Sequence, residues 1–232
     1  NFYKMSIVLV IGGSRGIGNN VIKEQLANGN ECINISRNSS GISDNLLQEF
    51  NLDVTKDDLP DVDNIRSIVY CPGSIILKPF GQITEDDYKN DFEINVLGAV
   101  RCIKKYINEI KTNENASIVL FSTVAVNQGM PFHSSVSVSK AGVEGLSKTL
   151  AAEFAPKVRV NCVAPTLTKT DLASRILRNE RIEENIANKH PLKRICEAQD
   201  ISSMVTFLIS EKSKNITGQI LRVDAGMSTL KI

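Results

Sequence analysis

Two short runs carry residue types that do chemistry at useful spacing. In "HSSVSVSKAG", residues 133–142, His133 stands three residues before Val136 and seven before Lys140. On a helix that begins by 133, steps of three and four keep all three on one face. Histidine titrates near neutral pH and suits proton transfer. In "GGSRGIG", residues 12–18, the chemistry is anion binding. Glycines let the backbone turn sharply and let a pyrophosphate approach the peptide, and the N–H groups of a following helix face the charge.

Neither run works without elements to position it. Apolar segments rich in Val, Ile and Leu read as strands at 6–11, 31–36, 50–54, 67–71, 116–122, 157–163 and 219–223. Helices are expected at 16–28, at 84–111 with a break near 90, and at 135–154, 171–187 and 198–210. This alternation predicts an α/β fold, a doubly wound parallel sheet of about seven strands with ligands at the strands' carboxyl ends. Residues 37–66 leave room for one modest helix near 43–49. The run "TKDDLPDVDNIR", with Pro60 and four Asp residues, reads as a turn where a flanking helix would stand. "VLVIGGSRGIGNNVI" sets the glycine loop between the first strand and the first helix, the placement expected of a nucleotide-binding turn.

The 232 residues suit one domain spanning 5–232, with "NFYK" at 1–4 as an extension before Met5. A net charge of +1 argues against a nucleic-acid surface. No apolar run reaches the roughly 18 residues that cross a bilayer. Five scattered cysteines and two histidines form no metal-ligand pattern, so no metal is expected, and the cysteines suit a reducing cytoplasm. A small molecule is the expected partner.

Gly12-Gly13-Ser14-Arg15-Gly16-Ile17-Gly18 resembles the loop of the short-chain dehydrogenase/reductase family, single-domain Rossmann proteins. Further matches follow in order: Asp53-Val54, Asn95 in "FEINVLGAV", "KAGVEGLSKTLAAEFAPKVRVNCVAP", and "TGQILRVDAG". The resemblance implies a nicotinamide dinucleotide cofactor. Gly12, Ser14, Arg15, Gly16, Ile17 and Gly18 would hold its pyrophosphate, and Asp53 and Val54, closing the third strand, its adenine. Cys71, Pro72 and Gly73 stand where the family keeps a turn after the fourth strand. Pro165, Thr168 and Thr170 would hold the nicotinamide, with Thr166 replacing a usual glycine. Thr170 also reads as an N-cap for 171–187. Asn95 would hold a water, and Lys140 the ribose.

The family pairs a Ser hydroxyl with a Tyr four residues before the Lys. Here those positions hold Thr123 and Val136. Ser122 is an alternative hydroxyl if the loop register differs. His133 is the leading replacement for the missing acid; Tyr70 is a weaker one, and water another. His133 could equally sit in the loop entering the helix and only line the pocket. Ser135 reads as an N-cap, and His190 as a loop residue beside a substrate lid at 168–195.

Ser36-Arg37 follows the second strand, where NAD-binding domains place an acid. A guanidinium there, with Arg15, favours NADP(H) over NAD(H) by pairing with a 2′-phosphate. The expected function is an NADP(H)-dependent oxidoreductase moving a hydride to or from a small carbonyl, alcohol or activated alkene, with a non-standard proton donor. The alternatives are a catalytically impaired dinucleotide-binding sensor or partner subunit, and a non-redox lyase or isomerase. The family's habit also implies a homodimer or homotetramer, assembled through the helices of Asn95 and Lys140.

Overall fold

The computed structural model describes residues 7–174 and 176–231, so the extension at 1–4 lies outside the described residues. Seven strands build one sheet: β1 (Ile7–Ile11), β2 (Cys32–Ser36), β3 (Leu47–Asn51), β4 (Ile65–Tyr70), β5 (Ala116–Phe121), β6 (Val158–Pro165) and β9 (Ile220–Val223). Their order is β3-β2-β1-β4-β5-β6-β9, and every neighbour pair is parallel. A two-stranded pair, β7 (Thr168–Lys169) and β8 (Cys196–Glu197), stands apart. The helices are α1 (Gly16–Ala27), α2 (Glu85–Phe92), α3 (Gly98–Ile110), α4 (Ser134–Phe154), α5 (Glu180–Ala187) and α6 (Ala198–Leu208). Among the described residues no helix is long and apolar enough to cross a membrane.

The unbroken apolar strands follow from helices on both faces. Successive side chains of β1 point to opposite faces. Val8 and Val10 pack with Val21 and Ile22 of α1 and Ile201 and Val205 of α6. Leu9 and Ile11 pack with Ile103 and Tyr106 of α3 and Val143 and Phe154 of α4. The chain leaves β1 toward β2 and β3, then crosses back to β4 on the other side of β1. The loops after β1 and β4 therefore part company, which opens a crevice at their carboxyl ends.

Three expectations change. No helix occupies 43–49; residues 45–46 turn and the chain enters β3 at Leu47. The third strand is 47–51 rather than 50–54, because Leu47 through Asn51 pair with Cys32 through Ser36. Asp53 thus lies beyond the strand, where it accepts from the Thr55 N–H and hydroxyl at 3.0 and 2.7 Å. The apolar alternation Phe50, Leu52, Val54 runs on past the strand into that turn, whose residues also pack on the core. Finally, 171–187 is not one helix: a 3₁₀ turn at Asp171–Ala173 is separated from α5, which Asn179 caps by accepting from the Ile182 N–H. Thr170 makes no side-chain cap bond.

The break expected near 90 is a π turn, Glu93–Leu97, between α2 and α3. Such insertions concentrate at functional positions, and this one carries Asn95.

Candidate active site

Two cavities of about 420 Å³ each lie side by side at the carboxyl edge of the sheet. The first, a cleft, follows the crevice. Gly12, Ser14, Arg15, Gly16, Ile17, Gly18, Ser36, Arg37, Asp53, Val54, Cys71, Pro72, Gly73 and Thr170 all line it. The second, a chamber, is lined by Thr123, His133, Lys140, Pro165, Thr168, Thr170 and Val136, among mostly apolar neighbours. Ile17, Cys71, Gly73, Thr170 and Leu172 border both, so the cavities meet at a seam. Lys140, Pro165 and Thr168 reach only the chamber, and Asn95 lines neither.

The cleft's floor is backbone. Gly12 has φ +82° and Gly16 +58°, values that favour glycine. A Cβ on Gly18 would stand 2.5 Å from the Gly12 carbonyl oxygen. Asn34 fixes the loop from below: its Oδ1 accepts from the Gly13 N–H at 2.9 Å, and its amide donates to Glu49 at 2.8 Å. Arg37 is exposed beside Ser36, whose hydroxyl donates to the Asn38 carbonyl. Arg15 is exposed and stands 3.9 Å from Asp171. Bonds from the Thr55 hydroxyl and N–H hold the Asp53 carboxyl below the usual carboxylate range.

Behind Gly73 lies a buried polar cluster. Asp91, fully buried on α2, accepts from Ser74 at 2.5 Å and Ser135 at 2.6 Å. The Asn95 amide donates to the Asp91 carbonyl at 2.7 Å and to the hydroxyls of Ser74 and Ser139. Its buried Oδ1 has no partner among the described residues and lies 3.4 Å from where a Gly73 Cβ would be; Lys140 Nζ lies 3.5 Å from the same point. Lys140 Nζ donates to the Phe121 carbonyl at 3.0 Å, and burial pushes its pKa down to about 8. A dinucleotide fits these features: positive-φ glycines where the backbone must be approached, guanidinium groups on the cleft wall, and an unsatisfied oxygen and a cation behind Gly73.

On the chamber side, Val136 and Lys140 sit one turn apart on α4 and share the wall. His133 is the residue before α4, half-buried on the same wall. Its Nδ1 stands 2.7 Å from the Pro131 carbonyl, which can only accept, so Nδ1 carries the hydrogen and the neutral ring keeps its lone pair on Nε2. The Thr123 Oγ accepts from the Ala125 N–H, which leaves its own hydrogen uncommitted. Ser122 donates its hydrogen to Glu144 at 2.7 Å, so Thr123 is the available hydroxyl. Tyr70 is excluded as an acid: its hydroxyl donates to the Ile94 carbonyl at 2.7 Å, burial raises its pKa, and it lines neither cavity.

A further expectation is corrected. Ser135 does not cap α4; its side chain is committed to Asp91, and His133 occupies the cap position without a side-chain bond. His190 is the expected loop residue, at a bend after α5, and its ring turns inward. It is fully buried, its Nε2 2.9 Å from the Thr166 hydroxyl, and it lines the chamber. Asp91 and Ser74 were not anticipated. Asp91 precedes Asn95 by four residues and shares its helical face, but in "EDDYKNDFEIN" it reads as one more surface acid.

Residues 55–228 match the family model described as enoyl-(acyl carrier protein) reductase. The 3-oxoacyl-[acyl-carrier-protein] reductase of Staphylococcus epidermidis is 30% identical over 244 residues, covering 94% of this chain and 97% of that protein. Human dehydrogenase/reductase SDR family member 4 is 34% identical over 145 residues, which span 62% of this chain and only 52% of that relative's length. Among solved structures, ElxO with NADP bound superposes with a TM-score of 0.87 at 25% identity, covering 97% of this chain and 100% of that one.

Proposed function

The chain belongs to the short-chain dehydrogenase/reductase family, and from that premise we propose that it is an NADP(H)-dependent oxidoreductase acting on a small apolar carbonyl, alcohol or activated alkene. The observation that carries this reading is the seam. A cleft suited to a dinucleotide abuts an apolar chamber at Gly73 and Thr170, with Lys140 beside Gly73. Bound in the cleft, the nicotinamide supplies or receives the hydride. The chain's residues do the rest. The glycine loop's N–H groups meet the pyrophosphate, and Lys140, with its depressed pKa, donates to the adjoining sugar hydroxyls. Thr123 donates to the substrate oxygen, and Val136, Leu167 and Ile186 keep water from it.

NADP(H) is preferred because Arg37 and Arg15 border the cleft's outer end and no acid follows Ser36. ElxO was solved with NADP and 4-hydroxyisoleucine dehydrogenase with NADH, so the choice rests on the two arginines. Calorimetry with all four nicotinamide dinucleotides should show NADPH binding roughly tenfold tighter than NADH, as one charge-assisted bond would give. Equal dissociation constants remove the preference. Turnover should appear in a panel of apolar aldehydes, ketones and enones. Binding without any turnover would favour the dinucleotide-binding sensor or partner subunit, the reading that Val136 in the chamber wall supports.

The same reading places the protein in a reducing cytoplasm, consistent with five free thiols. It also takes the protein as a homodimer or homotetramer joined along α2 to α4, where Phe92, Leu97 and Val138 are exposed. A monomeric mass by light scattering overturns the assembly.

A further inference from the structure

We propose that Thr166 and His190 form a proton-transfer pair for the chamber, in which the Thr166 hydroxyl meets the substrate oxygen and His190 holds the proton behind it. The inference rests on the reading that the chamber receives an alcohol or carbonyl beside a bound dinucleotide.

Both side chains line the chamber and both are buried, Thr166 at 7% exposure and His190 at 0%. The His190 Nδ1 lies 2.9 Å from the Ile186 carbonyl, which can only accept, so Nδ1 carries the hydrogen. Nε2 then presents a lone pair. The Thr166 hydroxyl, 2.9 Å away, must donate to it. Met227 Sδ lies 3.3 Å from the same oxygen, but a thioether is a weak acceptor and the hydroxyl has one hydrogen to give. The result is a hydroxyl, a base in one fixed tautomer, and a third group orienting the base, an arrangement that activates a hydroxyl for proton exchange. Packing alone does not call for it. The wall around the pair is apolar, with Leu167, Ile186 and Met227, and two apolar side chains of similar shape would close it at little cost.

His133 serves this task less well. It stands at the chamber wall half-exposed, and its ring is held by its own loop at Pro131. Thr166 follows Pro165 at the end of β6, on the segment that continues through Thr168 to Thr170 at the seam.

In alcohol oxidation the tautomer seen here is the ready base. The substrate O–H proton passes to Thr166 Oγ as the Thr166 hydrogen passes to His190 Nε2. The carbinol C–H bond breaks, its electron pair leaving with the hydride to the oxidised dinucleotide, and the C=O bond forms. The resulting imidazolium keeps both N–H groups bonded, Nδ1 to Ile186 and Nε2 to Thr166. Carbonyl reduction runs these transfers backwards, with the imidazolium as the acid.

The chain has two histidines, so ¹⁵N-imidazole NMR gives two ring systems, assigned with a His133→Gln sample. His190 should show the Nδ1–H tautomer with a hydrogen-bonded Nε2. Thr166→Val should move that Nε2 signal toward a free acceptor and lower kcat for an alcohol about a hundredfold, with KM changed little. Thr166→Ser should restore both signal and kcat to within about threefold. His190→Asn, which cannot take the proton, should match Thr166→Val. An Nε2–H tautomer, or near wild-type kcat in Thr166→Val, overturns the pair while leaving the functional reading intact. Turnover of activated alkenes alone also overturns the pair, whereas wild-type protein that binds no dinucleotide, or binds one and turns over no alcohol, carbonyl or activated alkene, overturns both.

Discussion

The cleft and the chamber have the same volume, about 420 Å³, and share five bordering residues, yet they are built in opposite ways. The cleft is a backbone site. Its floor comes from one contiguous loop and depends on where side chains are absent, as at Gly12, Gly16 and Gly18. The chamber is a side-chain site. Thr123 comes from the end of β5, His133 and Lys140 from the start of α4, Thr166 from the end of β6, His190 from beyond α5 and Met227 from after β9. A backbone site tolerates almost no added atom but is indifferent to distant sequence. A side-chain site can be retuned one residue at a time, and it changes chemistry when it is.

The largest effect should come from adding atoms to the cleft. In Gly18→Val the new Cβ meets the Gly12 carbonyl oxygen at 2.5 Å and the Gly13 Cα at 3.0 Å, both backbone, so the loop must open. Affinity for any nicotinamide dinucleotide should fall by about a hundredfold or more, roughly 3 kcal/mol. Calorimetry measures this directly, and a fall below about tenfold would deny that the cleft is built on close approach.

The chamber should instead accept an addition. Val136 is 4% exposed on the chamber wall, one turn before Lys140. Val136→Tyr adds a phenol beside a lysine of depressed pKa and should raise kcat for carbonyl reduction by about 10- to 100-fold, within the usual worth of a positioned acid. KM should rise as the ring narrows the space. If kcat does not move, proton delivery does not limit this chamber, and its difference from the cleft is shape alone.

The same contrast explains what could be read in advance. The glycine loop, the strand that feeds it and the helix that follows are local, so residues 7–27 carry their own signal. All the cleft residues expected from the loop are in the cleft. The edge strand β3 (Leu47–Asn51) lacks the apolar pattern of the inner strands because it lies at the sheet's edge. Its polar Gln48 and Glu49 are tolerated there, and Glu49 pairs with Asn34 across the strands rather than facing water alone. The chamber's polar residues were harder. His190 lies 24 residues from Thr166, and nothing in "NKHPLKR" says that its ring turns inward. Asp91 was hidden among acids that do face solvent, such as Glu85 and Asp86. Burial of a polar group is a tertiary fact, and only its partners reveal it.

Asp91 stands behind the chamber wall and should show a smaller effect, on stability. It accepts from Ser74, on the chamber wall, and Ser135, at the start of α4. Asp91→Ala leaves both hydroxyls without their acceptor in a buried setting, at a cost of about 2 kcal/mol. For a chain of this length Tm should drop by roughly 4–8 °C. Asp91→Asn, which still offers an oxygen, should lose less. Equal losses in the two variants would mean that the cluster is held by shape rather than by the carboxylate.

The smallest effect concerns charge at the seam. Burial pushes Lys140 from 10.5 down to about 8, the reverse of a lysine that has gained a partner. The unfolded chain therefore keeps this proton up to about 10.5, while the folded one releases it from about 8. Between those values the unfolded state binds more protons, so this group adds stability as pH rises. The buried thiols act in the opposite sense: burial raises Cys32, Cys71, Cys102 and Cys162 from 9.0 to about 12, so the unfolded state loses protons first and the fold weakens above pH 9. Wild-type stability alone would mix the two. The difference between wild type and Lys140→Met isolates the lysine, because both proteins carry the same thiols. By urea unfolding that difference should shift toward wild type by about 1 kcal/mol between pH 7.5 and 9. A difference that stays flat across that range would place the Lys140 ammonium in water, and would leave the seam without its buried cation.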